Sequence, residues 1–153
     1  MNLEDLTAQY DFKNRTIVIT GGGGILCREM ACALVGCNAN VAMLDRDTVL
    51  AEQAVKEFET NRGRYIVVYA DVLKKDTLEK AAAEVIKQFG QIDCLINGAG
   101  GNSPKATTNL EQSFFNIPEE ALKFVSDLNL IGTILPSQVF GKYMAEQKDG
   151  VIL

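Results

Sequence analysis

Four consecutive glycines, Gly21 to Gly24, follow the β-branched run RTIVIT (Arg15–Thr20) and precede an amphipathic stretch from Ile25 to Val35. Read as strand, turn and helix, these residues can bring bare backbone N–H groups against an anion. Without a Cβ the chain turns sharply and approaches closely, and the helix N-terminus adds its unsatisfied amides. A phosphate suits such a turn, although a plain tight connection would use the same residues. A helix dipole contributes only about 0.3 to 2 kcal/mol, whereas micromolar binding needs about 8 kcal/mol, so further contacts are required. Asp45 offers one: it ends the apolar run NVAML, 24 residues past Gly21, where a carboxylate can accept both hydroxyls of an adenine ribose. The alternative for Asp45 is a helix cap or a solvated acid. An acid at this point repels a 2′-phosphate and favours NAD over NADP, while the guanidinium of the adjacent Arg46 would attract it.

Other chemistries are removed by composition. The chain has no histidine, which eliminates Ser–His and Cys–His nucleophile pairs and the common zinc sites, and leaves Tyr, Lys and carboxylates for acid–base work. Cys27, Cys32 and Cys37 recur every fifth residue, about 140° apart on a helix, so they share no face. With Cys94 in an apolar strand run and no CxxC spacing, small buried thiols in a reducing cytoplasm are expected and a metal site is not. A net charge of −5 argues against a nucleic-acid partner, which would require clustered Lys and Arg. Hydrophobic residues at 47% and charged residues at 23% are those of an ordinary globular chain. No apolar run approaches the roughly 18 residues of a membrane span. Met1 to Asp11 carries Glu4 and Asp5 rather than a basic stretch and an apolar run, so no secretory signal is read there.

The elements that must position the glycines and Asp45 follow from periodicity. At 153 residues the chain fits one domain, 1–153, able to hide roughly 70% of its unfolded surface. Strand signals fall at Arg15–Thr20, Asn40–Leu44, Arg64–Ala70 and Ile92–Ile96, with a fifth beginning at Gly150–Leu153. Helices are predicted over Ile25–Val35, Val49–Phe58 with Asp47 as N-cap, and Lys75–Phe89. A further helix is expected from Pro118 to about Lys142, bent near Pro136. Near-continuous apolar strands alternating with helices predict an α/β fold, a doubly wound parallel sheet with ligands at the C-terminal ends of the strands. Asn97 to Ile117, polar and Gly-rich, is long enough for a functional loop.

Thr20–Cys27 (TGGGGILC), Ala70–Val72 (ADV), Asn97–Gly100 (NGAG) and Asn129, in order at the ends of successive strands, resemble the motifs of short-chain dehydrogenases along essentially the whole chain. The resemblance implies a Rossmann-like fold and hydride transfer between a nicotinamide cofactor, NAD or NADP, and an alcohol or carbonyl carbon. It implies that Gly21, Gly22, Gly23, Gly24, Ile25 and Leu26 hold the pyrophosphate, although the family carries glycines where this chain has Ile25 and Cys27. Asp71 would bond the adenine amino group with Val72 packed beside it. Gly98 and Ala99 would line the nicotinamide-side ribose, with Asn97 tying strands together. Asn129 would support a proton relay beside a catalytic tyrosine. Taken as residues alone, Asp71 also reads as a helix-cap acid and Asn129 as a bend or a buried hydrogen bond.

GGNSPKATT (Gly100–Thr108) and LNLIGTILPSQVF (Leu128–Phe140) resemble the branch acting on sugar acids such as mannonate and fructuronate. Lys105 would there meet a substrate carboxylate, or else is an ordinary exposed lysine. The helix after Pro118 resembles the one that pairs in dimers of the family, with Leu128, Ile131, Leu135 and Val139 at helical spacing, so a homo-oligomer is expected. The family's Tyr-x-x-x-Lys does not occur: the fourth residues after Tyr10, Tyr65, Tyr69 and Tyr143 are Asn14, Tyr69, Leu73 and Gln147. The chain is therefore read as stopping at the start of its fifth strand, a fragment of an enzyme and catalytically incomplete alone. The alternative is a non-catalytic dinucleotide-binding or interaction module.

Overall fold

The computed structural model describes residues 9–56, 58 and 63–153. The reading of the N-terminus falls largely on residues 1–8, and that of a helix reaching Phe58 passes through Glu57; both stretches lie outside the described residues. Five strands, β1 (Thr16–Thr20), β2 (Asn40–Asp45), β3 (Arg64–Tyr69), β4 (Cys94–Asn97) and β5 (Val151–Ile152), form one sheet in the order β3-β2-β1-β4-β5. Every pairing is parallel. Among the described residues, the α-helices that accompany them include α1 (Ile25–Gly36), α2 (Thr48–Val55), α3 (Lys75–Phe89), α4 (Glu119–Ser126) and α5 (Gly132–Gln147).

The apolar runs make strands because both faces of the sheet are covered, and the two-residue alternation sorts them. Ile17, Ile19, Val41 and Met43 point to one side, where Cys27, Ala31 and Val35 of α1 and Ala51, Ala54 and Val55 of α2 bury them. Val18, Ala42, Leu44 and Leu95 point to the other, against Leu78, Ala81 and Val85 of α3 and Val139, Phe140 and Met144 of α5. The chain leaves β1 toward β2 and later returns to β4 on the opposite flank of β1. This reversal opens a crevice at the C-terminal ends of β1 and β4, where Thr20 is in register with Asn97. At the opposite end, Arg15 Nη1 bridges Asp93 (2.8 Å) and Asp149 (3.1 Å). Asp93 also accepts from the Thr16 amide at 2.7 Å, pinning the starts of β1 and β4 together.

Helix ends follow local signals. α3 spans the predicted Lys75–Phe89 because Gly90 takes the left-handed conformation (φ 87°) that stops it. Asp47 caps α2, accepting from the Leu50 amide at 3.2 Å. The segment after Pro118 departs from expectation. It is not one helix: α4 and α5 flank a π-helical turn, Asp127–Ile131. Pro136 lies buried inside α5, so the irregularity falls upstream of the proline, where side chains take over backbone bonding. Asn129 Nδ2 donates to the Val125 carbonyl (2.8 Å) and Thr133 Oγ1 to the Asn129 carbonyl (2.9 Å).

A wide turn rotates the helix after it relative to the helix before it, so the expected stripe Leu128, Ile131, Leu135 and Val139 is not one outward face. Leu128 lines the crevice, and Leu135 and Val139 pack into the core with α3. Only Ile131 faces outward, beside exposed Leu130 and Ile134. No helix among the described residues is long and apolar enough to cross a membrane.

Candidate functional site

The crevice at the ends of β1, β2, β3 and β4 has a volume of about 270 Å³. It is bounded by Gly21 and Gly24 of the glycine turn, Asp45 and Arg46 after β2, Ala70–Leu73 after β3, Gly98–Gly100 after β4, and Phe124 and Leu128 above. Its size lies at the low end for small-molecule sites, enough for part of a dinucleotide.

The turn needs its glycines for two separate reasons. Gly21 has φ +69°, and a Cβ there would stand 2.9 Å from the Ala99 backbone. The β4 chain end is thus drawn tight against the turn, helped by the Ala99 amide donating to Thr20 Oγ1 at 3.1 Å. At Gly22 a Cβ would stand 2.7 Å from Met43 Cβ, which seats the turn on β2. Gly22 and Gly23 therefore lie behind the crevice and shape it, rather than lining it.

α1 begins at Gly24 with no side-chain cap. The Gly24 and Arg28 amides close on Gly21 and Gly24 carbonyls. The Ile25 and Leu26 amides have no partner among the described residues, and the side chains of these two residues stand exposed to solvent. Two free N–H groups at a helix N-terminus fit a pyrophosphate oxygen.

Asp45 is half-buried and already engaged: Oδ2 accepts from the Gly23 amide and Oδ1 from the Asp47 amide, each at 2.9 Å. One bond holds the glycine turn and the other starts the approach to α2. A carboxylate has about four acceptor positions, so each oxygen keeps one for a hydroxyl. Arg46 lines the same crevice and makes no ion pair among the described residues.

Asp71 sits at a rigid corner. Thr77 Oγ1 grips both its amide and its carbonyl, each at 3.0 Å. Its carboxylate accepts from the Leu73 amide (3.0 Å) and pairs with Lys74 at 3.4 Å. The carboxylate thus bonds the turn before α3 and not an amide of the helix, which starts at Lys75 without a side-chain cap.

Residues 15–153 match the family described as short chain dehydrogenase. The chain belongs to that family. An uncharacterized oxidoreductase of Haemophilus influenzae is 35% identical over 97% of this chain and 56% of its own length. The uncharacterized oxidoreductase UxuB of Bacillus subtilis is 41% identical over 91% of this chain and 53% of its own length. This short chain dehydrogenase therefore spans about half the length of the curated relatives it matches. A crystal structure of a candidate D-mannonate oxidoreductase from Haemophilus influenzae, with bound NAD, superposes with a TM-score of 0.82 at 35% identity, covering 91% of this chain and 53% of that one. A short-chain type dehydrogenase/reductase from Mycobacterium marinum shares the fold with a TM-score of 0.85 at 24% identity, covering 99% of this chain and 58% of that one.

Two positions set this short chain dehydrogenase apart from the usual glycine pattern. Ile25 projects outward into solvent. Cys27 is buried beneath it with Sγ 3.7 Å from the Thr20 carbonyl, and a Cβ on Gly98 would collide with that sulfur. Burial, and then the charge of Asp45, push the Cys27 thiol up, so it stays neutral beside the anion position. Burial and then Asp93 do the same for Cys94.

Asn97 faces away from the crevice: Nδ2 reaches Ser137 Oγ and the Leu153 carbonyl, each at 3.2 Å, which ties β4 to α5 and to the end of β5. Asn129 faces the loop after β4. Its Oδ1 accepts from the Gly101 amide at 3.1 Å and its Nδ2 donates to the Gly101 carbonyl at 2.7 Å. The amide side chain thus clamps a peptide as a neighbouring strand would. Sequence reasoning missed Phe124 and Leu128 as walls and Gly101 as the clamped residue. The first two, four residues apart on one face, become walls only where the fold sets α4 over the crevice, and the third needs a contact 28 residues away.

Proposed function

We propose that this chain is the cofactor-binding portion of an NAD-dependent dehydrogenase acting on a sugar acid. The observation that carries the reading is Asp45, fixed by two backbone amides at the crevice rim with acceptor capacity to spare. When bound there, the nicotinamide cofactor supplies a hydride donor or acceptor carbon. The unpartnered Ile25 and Leu26 amides hold its pyrophosphate, Asp45 its adenine ribose, and Asp71 with Val72 its adenine. Gly98 to Gly100 leave room beside the nicotinamide-side ribose. Asn129 orients this end through Gly101 and takes part in proton relay.

Comparing dissociation constants for NAD and NADP tests the assignment. Tighter NADP binding would mean that Arg46, not Asp45, decides the choice. The sugar-acid reading rests on the likeness to the candidate D-mannonate oxidoreductase and on Lys105, which makes no ion pair among the described residues and can meet a carboxylate. A panel of hexonates and simple alcohols, assayed on a polypeptide extending this chain to the length of its relatives, would refute it if only the alcohols turned over.

Because no Tyr-x-x-x-Lys occurs in these 153 residues, the chain alone is expected to bind dinucleotide without turnover. Acid–base help worth typically 10²- to 10⁴-fold is absent. The same observation favours a second reading, a non-catalytic dinucleotide-binding module; substrate-dependent absorbance change at 340 nm in the purified chain would contradict both. We further assign self-association to the exposed Leu130, Ile131 and Ile134, and a monodisperse monomer across a concentration series in light scattering would refute it. The four cysteines are free, Cys27 buried as expected and Cys32, Cys37 and Cys94 only partly so, and free thiols suit a cytoplasmic setting.

A further inference from the structure

The crevice wall and the Asn129 clamp belong to one structural unit. Phe124 and Leu128 line the crevice, and Asn129 follows directly in the π turn Asp127–Ile131. Gly132, the next residue after that turn, is buried against Val72: a Cβ there would lie 2.9 Å from Val72 Cγ2. Val72 in turn sits on the corner that Thr77 fixes by gripping Asp71 at both its amide and its carbonyl. The π turn is therefore seated on the adenine side of the crevice, while its Asn129 side chain holds Gly101 on the other side. A Cβ on Gly100 would lie 2.8 Å from Asn129 Oδ1, so these glycines allow the close approach that the clamp requires.

We propose that Phe124, Gly132 and Asn129 are positioning residues through which occupancy of the adenine end orders the loop Gly100–Ile117 at the nicotinamide end. The inference rests on the dinucleotide reading above. A ligand wedged between Val72 and Leu73 on one wall and Phe124 and Leu128 on the other touches both walls only while the π turn is seated on Val72. It therefore binds the seated arrangement better than any loosened one, which is the differential affinity that a population shift needs. The clamp is solvent-exposed, so without such support it opens readily. π turns inserted in α-helices recur at functional sites, where the extra residue frees side chains for such tasks. The loop it would order is already built to respond as a unit. Gln112 Nε2 donates to the Lys105 carbonyl at 2.6 Å, Asn102 Nδ2 to Thr107 Oγ1 at 3.0 Å, and Asn109 Oδ1 accepts from the Glu111 and Gln112 amides.

The test uses AMP, which fills the adenine end and carries no nicotinamide, with amide hydrogen exchange of this chain followed residue by residue by NMR. At saturation AMP should slow exchange of the Gly101 amide at least about tenfold, within the usual range for coupled sites. In Phe124→Ala, which removes part of the crevice wall and is therefore brought to saturation at a higher AMP concentration, AMP should still perturb Gly23 and Leu73 while the slowing at Gly101 falls below about threefold. AMP that perturbs Gly23 and Leu73 in the unaltered chain yet leaves Gly101 unchanged would overturn the coupling and spare the cofactor reading. The same slowing in Phe124→Ala would also overturn it. AMP that perturbs none of these amides at millimolar concentration would overturn both.

Discussion

The two flanks of β1 are held together on different terms. Toward β2 and β3, five and six consecutive residue pairs run in register, and β1 is buried along its whole length. Asp45 is fixed by the backbone amides of Gly23 and Asp47, and Asp71 by Thr77 only six residues on. Toward β4 and β5, the pairing shortens to four residues and then two, and β5 is exposed. There the order comes from side chains of distant elements: Asn97 reaching α5, Asn129 reaching Gly101. The flank of the glycine turn and Asp45 is thus held close to the strand ends, and the flank of Gly98–Gly101 is tied by side chains reaching from distant elements.

The sharpest break should come where the two flanks touch. Gly21→Val places a branched side chain at φ +69° and against the Ala99 backbone, so we expect a loss of about 3 kcal/mol or more in urea unfolding. A near-neutral result would show that the turn and the β4 end are not closely packed. Next, Asp45→Ala frees the Gly23 and Asp47 amides and removes the ribose acceptor. NAD affinity should fall roughly 10- to 100-fold, equivalent to about 1.4 to 3 kcal/mol; calorimetry on both proteins checks this.

Asn129→Ala should separate the flanks instead of harming both. Global stability should fall by about 1 kcal/mol, because its bonds are exposed. AMP affinity should fall by no more than about tenfold, the limit that reciprocal coupling sets, while exchange quickens around Gly101. An AMP affinity as damaged as in Asp45→Ala would erase the distinction between the flanks.

The smallest effect is set by pH. The Cys27 thiol is pushed up in the folded chain by burial and by Asp45, so its contribution is intact below the ordinary thiol value of about 8.5 and is lost as pH rises through the folded one. Stability should decline over that alkaline window. Cys27→Ala should flatten the decline, and an unchanged slope would assign it to other groups.

The contrast between the flanks also explains which features are legible in the sequence. β-branched runs between turn residues locate all five strands, and Asp47 and Gly90 mark helix ends, because those signals are local. Asp45 is legible as a site residue from its place at a strand end. Its engagement with Gly23 is not, since that bond joins two strands' ends in space. The π turn leaves no periodic signature: Leu128, Ile131, Leu135 and Val139 keep helical spacing in sequence, yet one widened turn sends Leu128 into the crevice and leaves Ile131 outside. Asn129 is found by resemblance, while its partner Gly101 requires the fold.

The central claim is that the glycine turn of this chain is a pyrophosphate site. Titration with NAD, followed at individual backbone amides by NMR, tests it most directly. Ile25 and Leu26, whose amides have no partner among the described residues, should show the largest shifts, saturating together with those of Gly23 and Asp47 around Asp45. NAD binding that leaves Ile25 and Leu26 unmoved, or that perturbs instead the polar cleft of Asp11, Asn38 and Arg64 at the far end of the strands, would contradict the account.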